Sequence, residues 1–538
     1  MASPTPRSTG GSNGPFCGYN LRADVTSGFL VFLIALPLSL GIAMASGFPP
    51  IAGLFTAMVG GLVTSFLGSA RLTIKGPAAG LIVIVIGAVT ELGAGDVEAG
   101  YQRALAVGVM AGVIQIGLAV ARLGFIGAIM PPAVVHGMLA AIGVIIISKQ
   151  SHTVMGVTPE SRAPLELLAE IPQSIGRLDP EVLLIGGLAL VVLFGLPKLP
   201  YKALKRVPAP LIVMMLAIPL AMLFEFETPH DYEWFGSIHH VDARLLVRLP
   251  ASLISAVTFP DFSQIATAAS IKYVLLFTLV GSIESLLSAS AVDALDPAKR
   301  ASNMDRDLLA TGVGNTIASV IGGLPMISEI VRSKANIDNG ATSPFANFFH
   351  GLFLLAFVVL LPGVLQQIPL AALAAMLVFT GTRLASPAEF GHAWHVGREQ
   401  LLVFVATMVI TLADDLLVGV FSGLALMLVV DLVRGASVGS LFRSRIAYRR
   451  DGAVVTLAVS GAAVFTNLRG LISALSRLEP DVERVVVDFS GCSVVDHTTQ
   501  NRLHLIADEW ERRTLELRGL DAHTCASTHP HCAKWKKA

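Results

Sequence analysis

Long apolar runs separated by short polar breaks fill the chain from residue 21 to about residue 436. Each run approaches the roughly 20 residues that an α-helix needs to cross a bilayer. The pattern predicts spans near 25–46, 51–68, 77–91, 101–121, 130–147, 182–196 and 208–224. A second set follows near 271–292, 306–321, 325–337, 345–362, 368–381, 400–414 and 416–434. An odd-numbered repeat places its two halves in opposite orientation, the inverted-repeat plan of secondary transporters. The predicted fold is an all-α polytopic membrane domain of 14 spans, seven plus seven.

Two breaks fall at membrane depth. Residues 320–334 hold Gly322, Gly323, Pro325, Ser328, Glu329 and Arg332 between apolar runs. Residues 72–80 repeat the motif with Lys75, Gly76, Pro77, Ala78 and Ala79. Irregular backbone in a bilayer survives only where protein or a water-filled cavity covers it. Paired broken segments in the two halves point to a transporter's binding site. Half-helices starting after Pro77 and Pro325 then aim their N–H groups and positive dipole ends at one solute. Such a site takes an anion. The candidate lining is Gly76, Pro77, Ala78, Ala79, Ser328 and Glu329.

Glu284 lies inside the apolar stretch 274–287, and Ser288 follows four residues on, on the same helix face. Ionisable groups there are costly and usually functional. Glu284 and Ser288 are the candidate coupling-ion site, for a proton or sodium. Glu329 lies across the cavity, and two ionised carboxylates beside an anion repel it. Symport therefore fits better than simple exchange. Arg332 either pairs with Glu329 and adds positive charge near the anion or snorkels to the cytoplasmic surface. Lys75 reads as an interfacial residue, and His136 as a packed, hydrogen-bonded histidine.

Charge sets the orientation. Lys and Arg collect on one side: Arg71, Lys75, Arg122, Lys198, Lys202, Lys205, Arg206, Lys299, Arg300, Arg383, Arg398, Arg434, Arg443 and Arg445. The other loops are acidic, with Asp96, Glu98, Glu160, Glu225, Glu227, Asp414 and Asp415 among them. The basic side is cytoplasmic by the positive-inside rule, and both termini lie there. Residues 1–20 read as a disordered cytoplasmic arm without a cleavable signal. The 538 residues are 54% hydrophobic and 14% charged, with no net charge, which argues against nucleic acid as a partner.

The pattern changes near residue 451. Residues 453–459 read as a strand, 466–478 as a helix, 485–489 as a buried strand and 498–515 as an amphipathic helix. Residues 451–521 are thus a small α/β domain with no phosphate loop or catalytic pair, and no cofactor is expected. Residues 522–538 read as a polar tail. Its His523, Cys525, His529, His531 and Cys532 lack regular zinc spacing, so no metal is predicted. Cys17, Cys492, Cys525 and Cys532 show no disulfide framework.

Ser46-Gly-Phe-Pro-Pro-Ile-Ala-Gly-Leu-Phe55, Lys75-Gly-Pro-Ala78, Gly281-Ser-Ile-Glu-Ser-Leu-Leu287 and Gly322-Gly-Leu-Pro325 resemble the sulfate permease (SulP) family. Val487-Asp-Phe-Ser490 and Val495-Asp496 resemble that family's STAS domain, here a short one. The resemblance implies inverted seven-span repeats split into core and gate domains, and a homodimer. It implies transport of sulfate, bicarbonate, chloride, oxalate or dicarboxylates. Glu284 and Ser288 stand where sodium-bicarbonate relatives carry an aspartate and a threonine. The expectation is a secondary active transporter of an inorganic anion, sulfate or bicarbonate first, in the inner membrane, and not an enzyme. The alternatives are an anion channel or exchanger on the same scaffold, or a dicarboxylate transporter.

Overall fold

The computed structural model describes residues 20–161, 163–200, 207–234, 236–250, 252–298, 300–414, 416–479, 481–508, 510 and 513–536. Residues 1–19 of the expected arm lie outside these, as do Lys202, Lys205, Arg206, Lys299 and Asp415.

The first half opens with α1 (Leu21–Ala45) and α2 (Pro50–Leu62). The Asn20 side chain caps α1, and Pro50 occupies the first position of α2. Strand β1 (Ile74–Pro77) precedes α3 (Ile82–Gly93) and α4 (Val97–Val120). Then come α5 (Pro132–Val154), α6 (Pro164–Ile175), α7 (Pro180–Gly195) and α8 (Ala209–Leu223). A hairpin of β2 (His230–Trp234) and β3 (Ser237–Val241) follows.

The second half contains α9 (Ala268–Leu295), α10 (Met304–Val320), β4 (Met326–Glu329), α11 (Ile330–Asp338) and α12 (Phe345–Leu360). It closes with α13 (Leu370–Leu384), α14 (Pro387–Val396), α15 (Arg398–Ala413) and α16 (Leu416–Val433). Each of the fourteen expected segments carries a helix. Among the described residues, eight helices are long and apolar enough to cross a membrane alone. Asp96, Asp179 and Asn303 cap α4, α7 and α10 through their side chains, which explains those starts. The amphipathic α6 and the hairpin lie between the predicted spans, within residues 148–181 and 225–270.

The soluble domain is a six-stranded sheet with two helices. Its elements are β5 (Arg445–Asp451), β6 (Val454–Ala463), α17 (Leu468–Ser476), β7 (Arg484–Val495), α18 (His497–Asp508), β8 (Thr514–Arg518), β9 (Thr524–Cys525) and β10 (Lys534–Trp535). The order is β5-β6-β7-β10-β9, with β8 also on β7. Val455, Leu457, Val485, Val487 and Phe489 are buried against Leu471, Leu475 and Leu503. Asp496 accepts from the backbone N–H groups of Thr499 and Phe465, both at 2.7 Å, and so starts α18. Burial pushes its carboxyl up to about 6.

The C-terminal tail differs from expectation. β8 covers only Arg484–Asp488 of the twelve-residue β7, leaving an edge near Val494 and Val495. β10 pairs there, and Cys532 and Ala533 are buried. An open edge with unpaired backbone groups recruits even a polar segment. Residues 522–536 therefore belong to the sheet domain rather than to a free tail.

Candidate functional site

The two broken spans meet. β1 and β4 pair antiparallel, with Ile74 opposite Glu329, Lys75 opposite Ser328, Gly76 opposite Ile327 and Pro77 opposite Met326. The Ala78 N–H donates to the Pro325 carbonyl at 3.2 Å. Each strand satisfies the other's backbone where water is scarce, which is how extended chain survives at this depth. The helices begin five residues later than expected, at Ile82 and Ile330 rather than at Pro77 and Pro325. Ala79 opens a single 3-10 turn before α3. Among the described residues no side chain caps α3 or α11. The Ile82 N–H donates to the Ala79 carbonyl, and the remaining first-turn N–H groups of both helices lie at the crossing.

Alternation along the strands creates two faces. On one, the Lys75 ammonium donates to Asp307 Oδ2 and Ser328 Oγ, each at 2.8 Å, and to Thr311 Oγ1 at 3.1 Å. Ser285 Oγ donates to Ser328 Oγ at 3.3 Å. Lys75 and Asp307 are 2% and 0% exposed. The interfacial role expected for Lys75 is thus corrected: three oxygen acceptors satisfy its ammonium, which lets a charge sit buried. Ser328 sits at the crossing, but its hydroxyl belongs to this ion-pair network.

The other face carries the unpaired charges. Gly76 has no room for a Cβ because Arg332 lies against it, and Gly80 has none because the Glu284 carboxylate lies there. Arg332 is 1% exposed, so it does not snorkel. None of its three guanidinium nitrogens has a hydrogen-bond partner among the described residues. Glu284 Oε2 and Glu329 Oε1 are buried and equally unpartnered. Glu329 acts electrostatically on both Glu284 and Arg332. Ser288 is buried one turn beyond Glu284. Ala78 is buried and Ala79 half-buried beside them.

α11 is locked in place. Ser333 Oγ accepts from the Ile74 N–H at 2.8 Å, and Asn336 Nδ2 donates to the Leu72 carbonyl at 2.9 Å. The structure therefore brings Gly76, Pro77, Ala78, Ala79, Ser328, Glu329 and Glu284 to one crossing. Sequence reasoning missed Asp307, Thr311 and His350. Asp307 is an acid inside a predicted span, which was the available signal. His350 is fully buried on α12 within reach of the Arg332 charge, and both its ring nitrogens lack partners among the described residues. His136 is hydrogen-bonded, its Nδ1 lying 2.7 Å from Glu389 Oε2.

The Sulfate permease family model matches residues 21–407. The chain is similar to YvdB of Bacillus subtilis, with 27% identity over 472 residues, covering 86% of this chain and 84% of that protein. It is similar to the bicarbonate transporter BicA of Picosynechococcus sp., with 24% identity, covering 78% of this chain and 72% of that one. The solved structure of SLC26A9 shares the fold at a TM-score of 0.67 and 15% identity, covering 93% of this chain and 84% of that one. The chain belongs to the sulfate permease family, whose members are multi-pass membrane transporters of anions rather than enzymes.

Proposed function

We propose that the protein is a secondary active transporter of sulfate or bicarbonate in the inner membrane, with both termini cytoplasmic, working as a homodimer. The anion binds at the β1–β4 crossing, between Arg332 and the free N–H groups of α3 and α11, against Gly76, Pro77, Ala78 and Ala79. Glu284, with Ser288 one turn on, holds the companion proton or sodium ion, and Glu329 shares that duty. Residues 21–436 form the transport unit, and the sheet domain is its regulatory or assembly module. One observation carries this reading. Buried atoms of three ionisable side chains, Arg332, Glu284 and Glu329, converge without a bond from any described residue. Buried charges without partners are strongly destabilising, so such a set persists where a ligand and a companion ion complete it.

The test is uptake of labelled sulfate and bicarbonate into proteoliposomes under imposed proton or sodium gradients. Uptake driven by one of these gradients, and losing that dependence in Glu284→Gln, is the expected result. Uptake indifferent to both gradients, or a Glu284→Gln variant that keeps full coupling, would refute the assignment.

A further inference from the structure

The soluble domain grips the membrane domain at two separate places. On one side, Arg469 of α17 lies over the Phe125 ring at 4.4 Å. There Ile472 and Arg502 line a cavity of about 200 Å³ with Leu286, Met304 and Asp305 of the α9–α10 region. On the other side, the C-terminal segment holds α14. Ser527 Oγ donates to the Val396 carbonyl at 2.8 Å, and the His529 ring meets His392 edge-on, with centroids 6.2 Å apart.

That second contact is built from imidazoles. His529 also packs on His497 at 6.1 Å and on His531 at 5.4 Å. His531 stacks on His504, centroids 3.9 Å apart and planes 18° from parallel. Five rings from α14, α18 and the tail thus form one cluster at a domain junction. Its hydrogen bonds specify protonation. His529 Nδ1 accepts the His531 backbone N–H at 3.1 Å, so that nitrogen carries no proton. His497 Nδ1 donates to the His531 carbonyl at 2.7 Å.

Two carboxylates face the cluster, Glu389 toward His392 and Glu399 toward His497, and each is already engaged by another cation or ring. From α14 come Glu389, already 2.7 Å from His136 of α5, and His395. From α15 comes Glu399, which bridges to Arg434 at 3.1 Å. Asp431 and Asp496 lie around that same arginine. From the tail comes Lys534, another cation.

We propose that His497, His529 and His531, packed on the rings of His392 and His504, form a pH-operated clasp: closed, it holds residues 522–536 on α14, and acid on the sheet-domain side opens it. A bridge from the α9–α10 region to α14 resists any movement between them. The closed clasp therefore slows transport, a consequence that rests on the proposed function; the clasp itself does not. The sign follows from the docked rings. Burial and the neighbouring imidazoles hold His497 and His529 below the ordinary value and bring His531 down to about 4. A ring held low binds fewer protons docked than free. Docking is complete above the free imidazole value of about 6.5 and weakens as pH falls through it. His531, held near 4, costs the docking constant roughly tenfold between pH 7.5 and 5.5, and His497 and His529 act in the same direction.

The experiment is amide hydrogen exchange on the full-length protein in nanodiscs, corrected for intrinsic rates. The N–H groups of Ala526, His531, Cys532 and Lys536 bond within or beneath the segment. They are expected to be protected at pH 7.5 and to exchange freely at pH 5.5. His529→Lys, a permanent cation, is expected to free them at pH 7.5. The triple variant His497→Gln/His529→Gln/His531→Gln removes the three rings held low and is expected to retain protection at pH 5.5. Equal protection of the wild type at both pH values, or a His529→Lys variant that stays protected, overturns the clasp. In proteoliposomes, lowering pH on the soluble-domain side accelerates wild-type uptake, whereas His529→Lys is fast at both values. Opening seen by exchange with no change in that rate overturns the braking role alone. A wild type that moves no anion yet opens with acid sinks the transport reading and leaves the clasp standing.

Discussion

Lys75 and Asp307 offer the sharpest check on the crossing. Their charged atoms are 2.8 Å apart, and their side chains are 3% and 0% exposed, so solvent screens the pair very little. Lys75→Met removes the ammonium and leaves Asp307 with weak donors, the Ala70 N–H and Ser328 Oγ, both at 3.4 Å. Stripping one partner from a buried pair destabilises by about 3–5 kcal/mol. For a large domain losing about 2–4 °C per kcal/mol, the midpoint falls by roughly 6–20 °C. Asp307→Asn strands the ammonium and lowers the midpoint as well. The double variant Lys75→Met/Asp307→Leu removes both charges and replaces them with apolar groups, which is often close to neutral. It is therefore expected to melt well above either single variant. The assay is monodispersity after heating in detergent, with the four proteins run side by side. Additive losses, or a Lys75→Met midpoint within about 2 °C of wild type, would show that Lys75 is an exposed interfacial cation after all.

Of three further predictions, two concern the other face and one is a control on α4. Gly76→Ala and Gly80→Ala place a methyl group against Arg332 and the Glu284 carboxylate, so both are expected to fold and to lose most anion uptake. Gly117→Ala on α4 meets open space and is expected to keep uptake and gain about 0.5–1 kcal/mol in stability. Arg332→Gln removes charge-assisted hydrogen bonds worth about 1.5–3 kcal/mol, so the KM for the anion is expected to rise roughly 10- to 150-fold; an unchanged KM would remove Arg332 from the site.

The spans were legible because apolar length is a local property, and the breaks because Gly-Pro at membrane depth has no other common explanation. What lay hidden depended on partners far along the chain. Nothing within residues 72–80 announces that Ile74 will pair with Glu329, because strand register is set by a segment some 250 residues away. Lys75 looked interfacial for the same reason: its counter-charge is 232 residues distant. His350 is a lone histidine in an apolar helix, a pattern shared with ordinary packed histidines. The tail misled by its polarity. Its strands are two residues each and exist because β7 outruns β8. Glu284 and Glu329 were visible because an acid inside an apolar run is conspicuous wherever its partner lies.

The charges at the crossing bear on what accompanies the anion. Lys75 and Asp307 cancel on their own face. On the other, Arg332 stands against Glu284 and Glu329, a net of minus one when both acids are ionised. Bicarbonate takes that to minus two and sulfate to minus three. Each extra like-charge contact at 4 Å is worth about 4 kcal/mol at an effective dielectric of 20, too much for a weak, reversible site to absorb. One companion cation per unit of substrate charge restores the empty-site value, and two carboxyls are present to take two. Under the proposed function, bicarbonate travels with one proton or sodium ion and sulfate with two. Glu329→Gln mimics the neutral acid and removes one negative charge, so bicarbonate and sulfate are each expected to need one companion cation fewer. Binding linkage is reciprocal, so the same cation must tighten anion binding by the factor with which the anion tightens its own. An unchanged cation dependence for both substrates in Glu329→Gln, measured as initial rates in proteoliposomes under graded proton or sodium gradients, would break the charge argument.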